Sequence, residues 1–450
     1  MIAPARIAAY DILSAVSSGG ADLPTAIAFA RESLHDERDR ALAADIAIGV
    51  QRWRAALDHL IAAFAKRSID RLDQEVVEIL RLSAYQLLHL TRVPSSAVVD
   101  DAVNLARRVG KSSASGFVNA VLRTISRKRD TLPLPPRPAR PGDRAAALDY
   151  LSVTLSHPRW LAARWLDRFG FDAAEAWMRF NNAPAPVTLR VNRLKHTSDE
   201  VRARLTAEDV TVHAGRFAPD AFVVDEGYPL RGRGVGDGWF VVQDEGSQLV
   251  GALASSLAGS RVLDTCASPG GKTTAVAAAM DNRGMLVACD VRSRRIDLLR
   301  QTVTVAGATN VRIVQADLLQ PLPFSQRFDT VIVDAPCSGL GTLRRDPDIR
   351  WRRRESDLQS LAISELVMLK HAAALVAPGG RLIYATCSSE PEENEAVADA
   401  FAAHPQQFKP VDVKKIAPSM TAVVDRRGHL RTQPHVHELE AYFAAVFQRD

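Results

Sequence analysis

The chain has 450 residues, which allows roughly two to four domains, and its 47% hydrophobic and 24% charged content excludes a disordered chain. Four cysteines, Cys266, Cys289, Cys337 and Cys387, form no C-x-x-C pair, which argues against a zinc site and against a disulfide framework, and points to a reducing, cytoplasmic setting. A net charge of +5 favours a polyanionic partner, and no apolar run of about 18 residues offers a membrane span.

Residues 4–128 read as wholly helical. Ile7, Tyr10, Ile12 and Leu13 open an amphipathic first helix, not a signal peptide. Val76–Leu90, VVEILRLSAYQLLHL, is strongly apolar and central to its bundle. Pro94 breaks the run, and helices follow at Ala97–Val109 and Phe117–Ser126. The pattern RLSAYQLLHLTRVPSSAVVDDAV…GFVNAVLR resembles the NusB-like RNA-binding domains. Thr131–Asp143, TLPLPPRPARPGD, is a proline-rich linker.

From residue 145 to residue 235 a small α+β module is expected. It has helices around Trp160–Phe169, Ala173–Phe180 and Ser198–Ala207, and short strands at Val187–Val191, Val210–Val212 and Ala221–Val224. From Trp239 onward strands alternate with helices. Strands read at Arg261–Leu263, Met285–Cys289, Val311–Val314, Thr330–Val333 and Arg381–Ala385, with a last one at Tyr442–Phe447. Helices read at Lys272–Met280, Arg294–Ala306, Glu355–Val376 and Asn394–Ala403. That alternation predicts a mostly parallel sheet covered on both faces.

In such sheets ligands bind beyond the carboxyl ends of the strands. VLDTCASPGGK, Val262–Lys272, is a strand, a glycine-rich turn and a helix start, which aims backbone N–H groups at a ligand. Its glycines would let that ligand come close. Asp264, Asp290, Asp317 and Asp334 recur at successive strand ends. Each alone is commonly a cap or turn residue; repeated in register, they favour a nucleoside cofactor, with Asp290 on the ribose and Asp317 on the adenine amine. Two cysteines follow strands that point into the same crevice, Cys337 in Asp-Ala-Pro-Cys-Ser-Gly and Cys387 in Ala-Thr-Cys-Ser-Ser.

A pyrimidine substrate accounts for two thiols. Carbon 5 of cytosine is too weak a nucleophile to take a methyl group. A thiolate added to carbon 6 makes carbon 5 an enamine carbon able to attack the methyl of S-adenosyl-L-methionine. Lys272 is placed to favour the thiolate. Asp334 could bond the base edge, and would have to be protonated to donate to ring nitrogen 3. The residues alone do not say which cysteine attacks.

DTCASPGGKT, VDAPCSGLG and YATCSS resemble the motifs of the RNA 5-methylcytosine methyltransferases, the Nol/Nop/Sun family, and SHPRWLAARW with NNAPAPVTLRVN resembles the subdomain preceding its catalytic domain. With a NusB-like region in front, the chain is similar to the bacterial Sun subgroup. The resemblance implies an α/β, Rossmann-like S-adenosyl-L-methionine-dependent methyltransferase domain at 236–450. Before it would stand an all-α NusB-like domain at 1–130, a linker at 131–144 and an α+β subdomain at 145–235. It implies methylation of one cytosine of small-subunit (16S) ribosomal RNA, with Cys387 as nucleophile, Cys337 in product release, and Asp334 and Lys272 positioning the cytosine. The cofactor would be held by Cys266, Ala267, Ser268, Pro269, Gly270, Gly271, Lys272, Asp290, Arg295, Asp317 and Asp334. Alanine is commoner in the family where this chain has Ser268. No metal and a monomer are expected. Transfer RNA as substrate, and an RNA-binding factor with a relic catalytic domain, are the competing readings. The basic stretch Gly341–Arg354, GTLRRDPDIRWRRR, is expected to contact RNA phosphate through Arg344, Arg345, Arg350, Arg352, Arg353 and Arg354, with Trp351 packed among them.

Overall fold

The computed structural model describes residues 2–140, 142–254, 258–403 and 407–450; Pro141 of the linker lies outside them. The chain divides into two compact units. The first comprises residues 1–184 with Leu343–Arg353, and the second residues 185–342 with 354–450.

In the first unit the helices Pro4–Ser17, Leu23–Ser33, Glu37–Ala65, Gln74–His89, Ser95–Arg108 and Ser115–Arg127 enclose one core around Leu13, Ile46, Leu80 and Leu122. The helices Arg159–Phe169 and Phe171–Asn182 also belong here, packed through Trp165 and Trp177, whose ring centroids lie 4.8 Å apart. Residues 131–140 carry neither helix nor strand, as five prolines between Thr131 and Asp143 dictate.

Against expectation, part of the basic stretch is structural in the first unit. Arg350 is fully buried. Its guanidinium donates to the Ser156 carbonyl and Asn182 Oδ1, both at 3.0 Å, and to the Leu343 carbonyl at 3.3 Å. Every one of these acceptors is neutral, and burial followed by the nearby Arg52 pulls the guanidinium down to about 9. Arg344 donates to the Pro184 carbonyl at 2.6 Å and lies over the Phe180 ring. Trp351 Nε1 donates to the Gln51 carbonyl at 2.7 Å, so this side chain does pack. Arg352 and Arg354 are exposed, and Arg352 pairs with Asp348 at 3.1 Å. We expect Arg350→Met to strand those buried carbonyls and cost about 3 kcal/mol of stability, read as a lowered Tm. The salt dependence of RNA binding should stay as in the wild type at temperatures where the variant is folded. A flatter salt slope would return Arg350 to the phosphate contacts.

The second unit holds two sheets. The smaller comprises β1 (Thr188–Val191), β2 (Thr211–Ala214), β3 (Ala221–Glu226) and β4 (Phe240–Val242), antiparallel in the order β2-β3-β1-β4. The helix Ser198–Ala207 starts where expected because Thr197 and Glu200 form a reciprocal capping box.

The larger sheet contains β5 (Arg261–Asp264), β6 (Met285–Asp290), β7 (Val311–Gln315), β8 (Phe328–Asp334), β9 (Val376–Thr386), β10 (Phe408–Val411), β11 (Leu430–Arg431) and β12 (Phe443–Arg449). Its order is β10-β12-β9-β8-β5-β6-β7, with β11 paired to β12. β5 to β9 are parallel, and β12 and β10 are antiparallel additions. Alternate residues feed opposite cores. Val262, Leu286, Ile332 and Ile383 face one, and Leu263, Val287, Val331 and Leu382 the other. Both faces are thus covered, which is why these strands read as continuous apolar runs. Chain order reverses at β5, between β6 and β8, and a crevice opens there beyond the strand ends.

Candidate active site

β8 and β9 lie in register, with Asp334 opposite Ala385, so the loops after them leave the sheet side by side. Ala335 donates its N–H to the Ala385 carbonyl at 2.8 Å, and Gly341 to the Cys387 carbonyl at 2.9 Å. A Cβ on Gly341 would fall 2.1 Å from the Ala441 carbonyl oxygen, so only glycine fits this approach. Two cysteines distant in sequence thereby meet, with Cys337 Sγ 3.3 Å from Cys387 Sγ. Lys272, on the first turn of the helix Gly271–Ala279, reaches across to Asp334 at 2.6 Å. Burial pulls the Lys272 ammonium down, but Asp334 and then Cys387 outweigh it and the net shift is upward. A half-buried, charged ammonium therefore stands beside the sulfurs.

A cavity of about 430 Å³ opens at these strand ends, and its walls include both sulfur-bearing residues. Of the expected cofactor residues, Cys266, Ser268, Asp290, Arg295, Asp317 and Asp334 line it. Asp290 is held by the Ser268 N–H at 3.2 Å, the Val291 N–H at 2.9 Å and Arg295 Nε at 3.2 Å. Arg295 also donates to the Ser268 carbonyl at 2.7 Å, and Ser268 Oγ donates to the Arg295 carbonyl at 2.9 Å. The serine hydroxyl thus has a partner. Asp317 is exposed at the cavity rim.

Ala267, Pro269, Gly270, Gly271 and Lys272 stand outside the cavity wall, and the Ser268–Pro269 peptide is cis. The two glycines face protein. Gly270 has a φ of +105°, and a Cβ there would lie 3.0 Å from Leu299 and 3.2 Å from Thr302; one on Gly271 would lie 3.3 Å from Gln243. Behind the loop, the buried Arg190 donates to Gln243 Oε1, the Gly271 carbonyl and Thr274 Oγ1. Asp264 also turns inward, accepting from Thr273 Oγ1 at 2.7 Å, and burial pushes its carboxyl up to about 6. Burial pushes the Cys289 thiol up to about 12 and the Cys266 thiol higher, as inert cysteines behave.

Sequence reading missed Thr265, Val291, Arg292, Ala316, Leu318 and Met368 on the cavity wall. Val291 and Arg292 directly follow the end of β6 and could have been found from that position. Met368 comes from the helix Asp357–Ala373, where nothing local marks it. Among the described residues there is no cluster of three or more His, Cys, Asp or Glu that could hold a metal.

A family model for the 16S rRNA methyltransferase RsmB/F matches residues 253–448, a NusB family model matches residues 3–127, and a model of the RsmF/B ferredoxin-like domain matches residues 157–231. The ribosomal RNA small subunit methyltransferase B of Pseudomonas putida is 34% identical over 412 residues, covering 91% of each chain. The chain belongs to the RsmB/F family of methyltransferases. The corresponding enzyme of Pseudomonas syringae is 32% identical, over 97% of this chain and 93% of its own. The solved structure of PH0851 superposes with a TM-score of 0.81 at 26% identity, covering 100% of this chain and 99% of that one. A methyltransferase homologue from Pyrococcus horikoshii superposes with a TM-score of 0.59 at 25% identity, over 68% of this chain and 99% of its own.

As an RsmB/F-family methyltransferase the protein uses S-adenosyl-L-methionine, and the donor set suits that molecule. A sulfonium, an ammonium, ribose hydroxyls and an adenine amine are all cations or donors, and the crevice offers the carboxylates of Asp290, Asp317 and Asp334. Val291, Leu318, Ala335 and Pro336 add apolar wall, as a nucleoside requires. Among the described residues no helix is long and apolar enough to cross a membrane.

Beneath the sulfurs Glu365 is fully buried and accepts from the Tyr384 hydroxyl at 3.0 Å. Burial, then the charge of Glu393, push its carboxyl from 4.5 up to about 9. The folded chain thus keeps a proton that the unfolded chain releases. The stabilisation is complete below 4.5 and is lost as pH rises towards 9. Glu365→Gln keeps an acceptor for Tyr384 and cannot ionise. Its Tm relative to wild type should rise steadily between about pH 5 and about pH 9; a pH-independent difference would show that Glu365 is ionised in the fold.

Proposed function

We propose that this chain methylates carbon 5 of a cytosine in small-subunit (16S) ribosomal RNA through a transient bond between Cys387 and the base. The observation that carries the reading is the pair of sulfurs 3.3 Å apart on the wall of the crevice, next to the Lys272–Asp334 ion pair. The names of the Pseudomonas relatives, ribosomal RNA small subunit methyltransferase B, support the substrate.

Cys387 Sγ adds to carbon 6, and the electron pair of the 5,6 double bond is freed at carbon 5. S-adenosyl-L-methionine, which Asp290, Asp317, Cys266 and Ser268 would hold, would supply a methyl group to that electron pair and leave as S-adenosylhomocysteine. The carbon 5 proton then passes to a base, the double bond re-forms, and the Cys387–carbon 6 bond breaks with its electrons returning to sulfur. Lys272 stabilises negative charge on Cys387. Asp334, already accepting from Lys272, is an acceptor towards the cytosine amino group, so the donor role considered from sequence is not needed.

Cys337 keeps its proton. Its hydrogen bond with Cys387, then burial, then the charges of Cys387 and Glu393 hold its thiol well above the ordinary range. It can donate to the Cys387 sulfur as that sulfur leaves. We read residues 1–130 as an RNA-binding module, 131–144 as its linker, 145–235 as a subdomain whose Arg190 buttresses the glycine loop, and 236–450 as the methyltransferase, acting as a cytoplasmic monomer without metal. Incubation with 16S ribosomal RNA and S-adenosyl-L-methionine, followed by bisulfite sequencing, tests this. One protected cytosine is expected; protection only in transfer RNA, or none, would overturn it.

A further inference from the structure

An acidic run, Glu390-Pro391-Glu392-Glu393, follows the second cysteine, and Glu393 in it is fully buried. Its carboxylate accepts from the Ser338 N–H at 2.5 Å and the Ser338 hydroxyl at 2.6 Å, and also from the Ser388 hydroxyl. Ser338 directly follows Cys337, and Ser388 directly follows Cys387. The two hydroxyls lie 3.2 Å apart, below the two sulfurs at 3.3 Å. Asn394 closes the same knot, donating to the Ser388 carbonyl at 3.0 Å and accepting from the Thr386 hydroxyl. One carboxylate therefore ties the residue after each sulfur to a common point.

We infer that Glu393 is a positioning residue that sets the separation and facing of the two sulfurs. This rests on the cytosine chemistry proposed above. Three donors converge on the two oxygens of one side chain; a glutamine would turn an N–H towards at least one of them. A turn could be capped by any one of these bonds, whereas their convergence from two strands fixes a distance between strands. The groups facing Glu393 are Glu365, Tyr384 and Cys337, and Lys272 supplies the nearby cation at Cys387.

The full chain is compared as Cys337→Ala and as Cys337→Ala with Glu393→Gln, each mixed with 16S ribosomal RNA and S-adenosyl-L-methionine. The rate of denaturation-resistant adduct formation is read, and cofactor affinity is measured by calorimetry. Glu393→Gln is expected to slow adduct formation about 100-fold, as misplacement of a nucleophile by about an ångström does, with cofactor affinity unchanged. In the protein with both cysteines present, Glu393→Gln should also lower the pH midpoint for alkylation of the sulfurs, a shift that mere loosening would not give. If the double variant binds no cofactor, Ser388→Ala with Cys337→Ala takes its place, with adduct formation slowed about tenfold by loss of one hydrogen bond. An equally fast adduct in the variants that bind cofactor would overturn the positioning role. No adduct in Cys337→Ala alone would instead overturn the cytosine chemistry on which it rests.

Discussion

Cys387→Ser is expected to reduce methyl transfer at least about 1,000-fold while cofactor affinity stays within a few-fold of wild type. The side chains are nearly isosteric, so the crevice and the Cys337 contact survive. What changes is nucleophile strength: a thiol is a few per cent ionised at neutral pH and intrinsically reactive, whereas a serine hydroxyl is neither without a base beside it. The structure gives Cys387 a charged ammonium, Lys272, and a hydrogen-bonded thiol, Cys337. Neither can take a hydroxyl proton, because both hold their own. A loss of about three orders of magnitude corresponds to about 4 kcal/mol of transition-state stabilisation. Single-turnover transfer of labelled methyl to 16S ribosomal RNA measures it, and undiminished transfer would leave the covalent route without a nucleophile.

Much of this crevice was legible because α/β strands carry their chemistry at their ends. Asp264, Asp290 and Asp334 each end a strand, and Asp317 lies two residues past one, so alternation alone ranked them. The reason for the glycines was not legible. Gly270 and Gly271 are small for the sake of Leu299, Thr302 and Gln243, contacts that form only after folding. The basic run misled for the same reason. Arg350 was expected at RNA phosphate, yet it is buried among acceptors drawn from distant segments. β10 was missed because Phe408-Lys409-Pro410-Val411 is short and interrupted by proline, which an edge strand tolerates and a central strand does not.

Cys337→Ala is expected to accumulate RNA covalently bound to protein, as a band of reduced mobility that survives denaturation, with turnover lowered at least about 100-fold. Removing this sulfur leaves Cys387, Lys272 and Asp334 in place, so addition to carbon 6 and methylation of carbon 5 proceed. Elimination is what suffers, since the departing sulfur loses the proton-bearing neighbour 3.3 Å away that would stabilise it. Cys387→Ala should give no such band. The asymmetry is informative because the two sulfurs are nearly equivalent in position, one strand apart and both on the cavity wall. They differ in surroundings: the charge of Glu393 bears on Cys337, while Lys272 interacts with Cys387. A band from Cys387→Ala and none from Cys337→Ala would exchange the roles, and would mean that the Glu393 carboxylate does not hold the proton on Cys337.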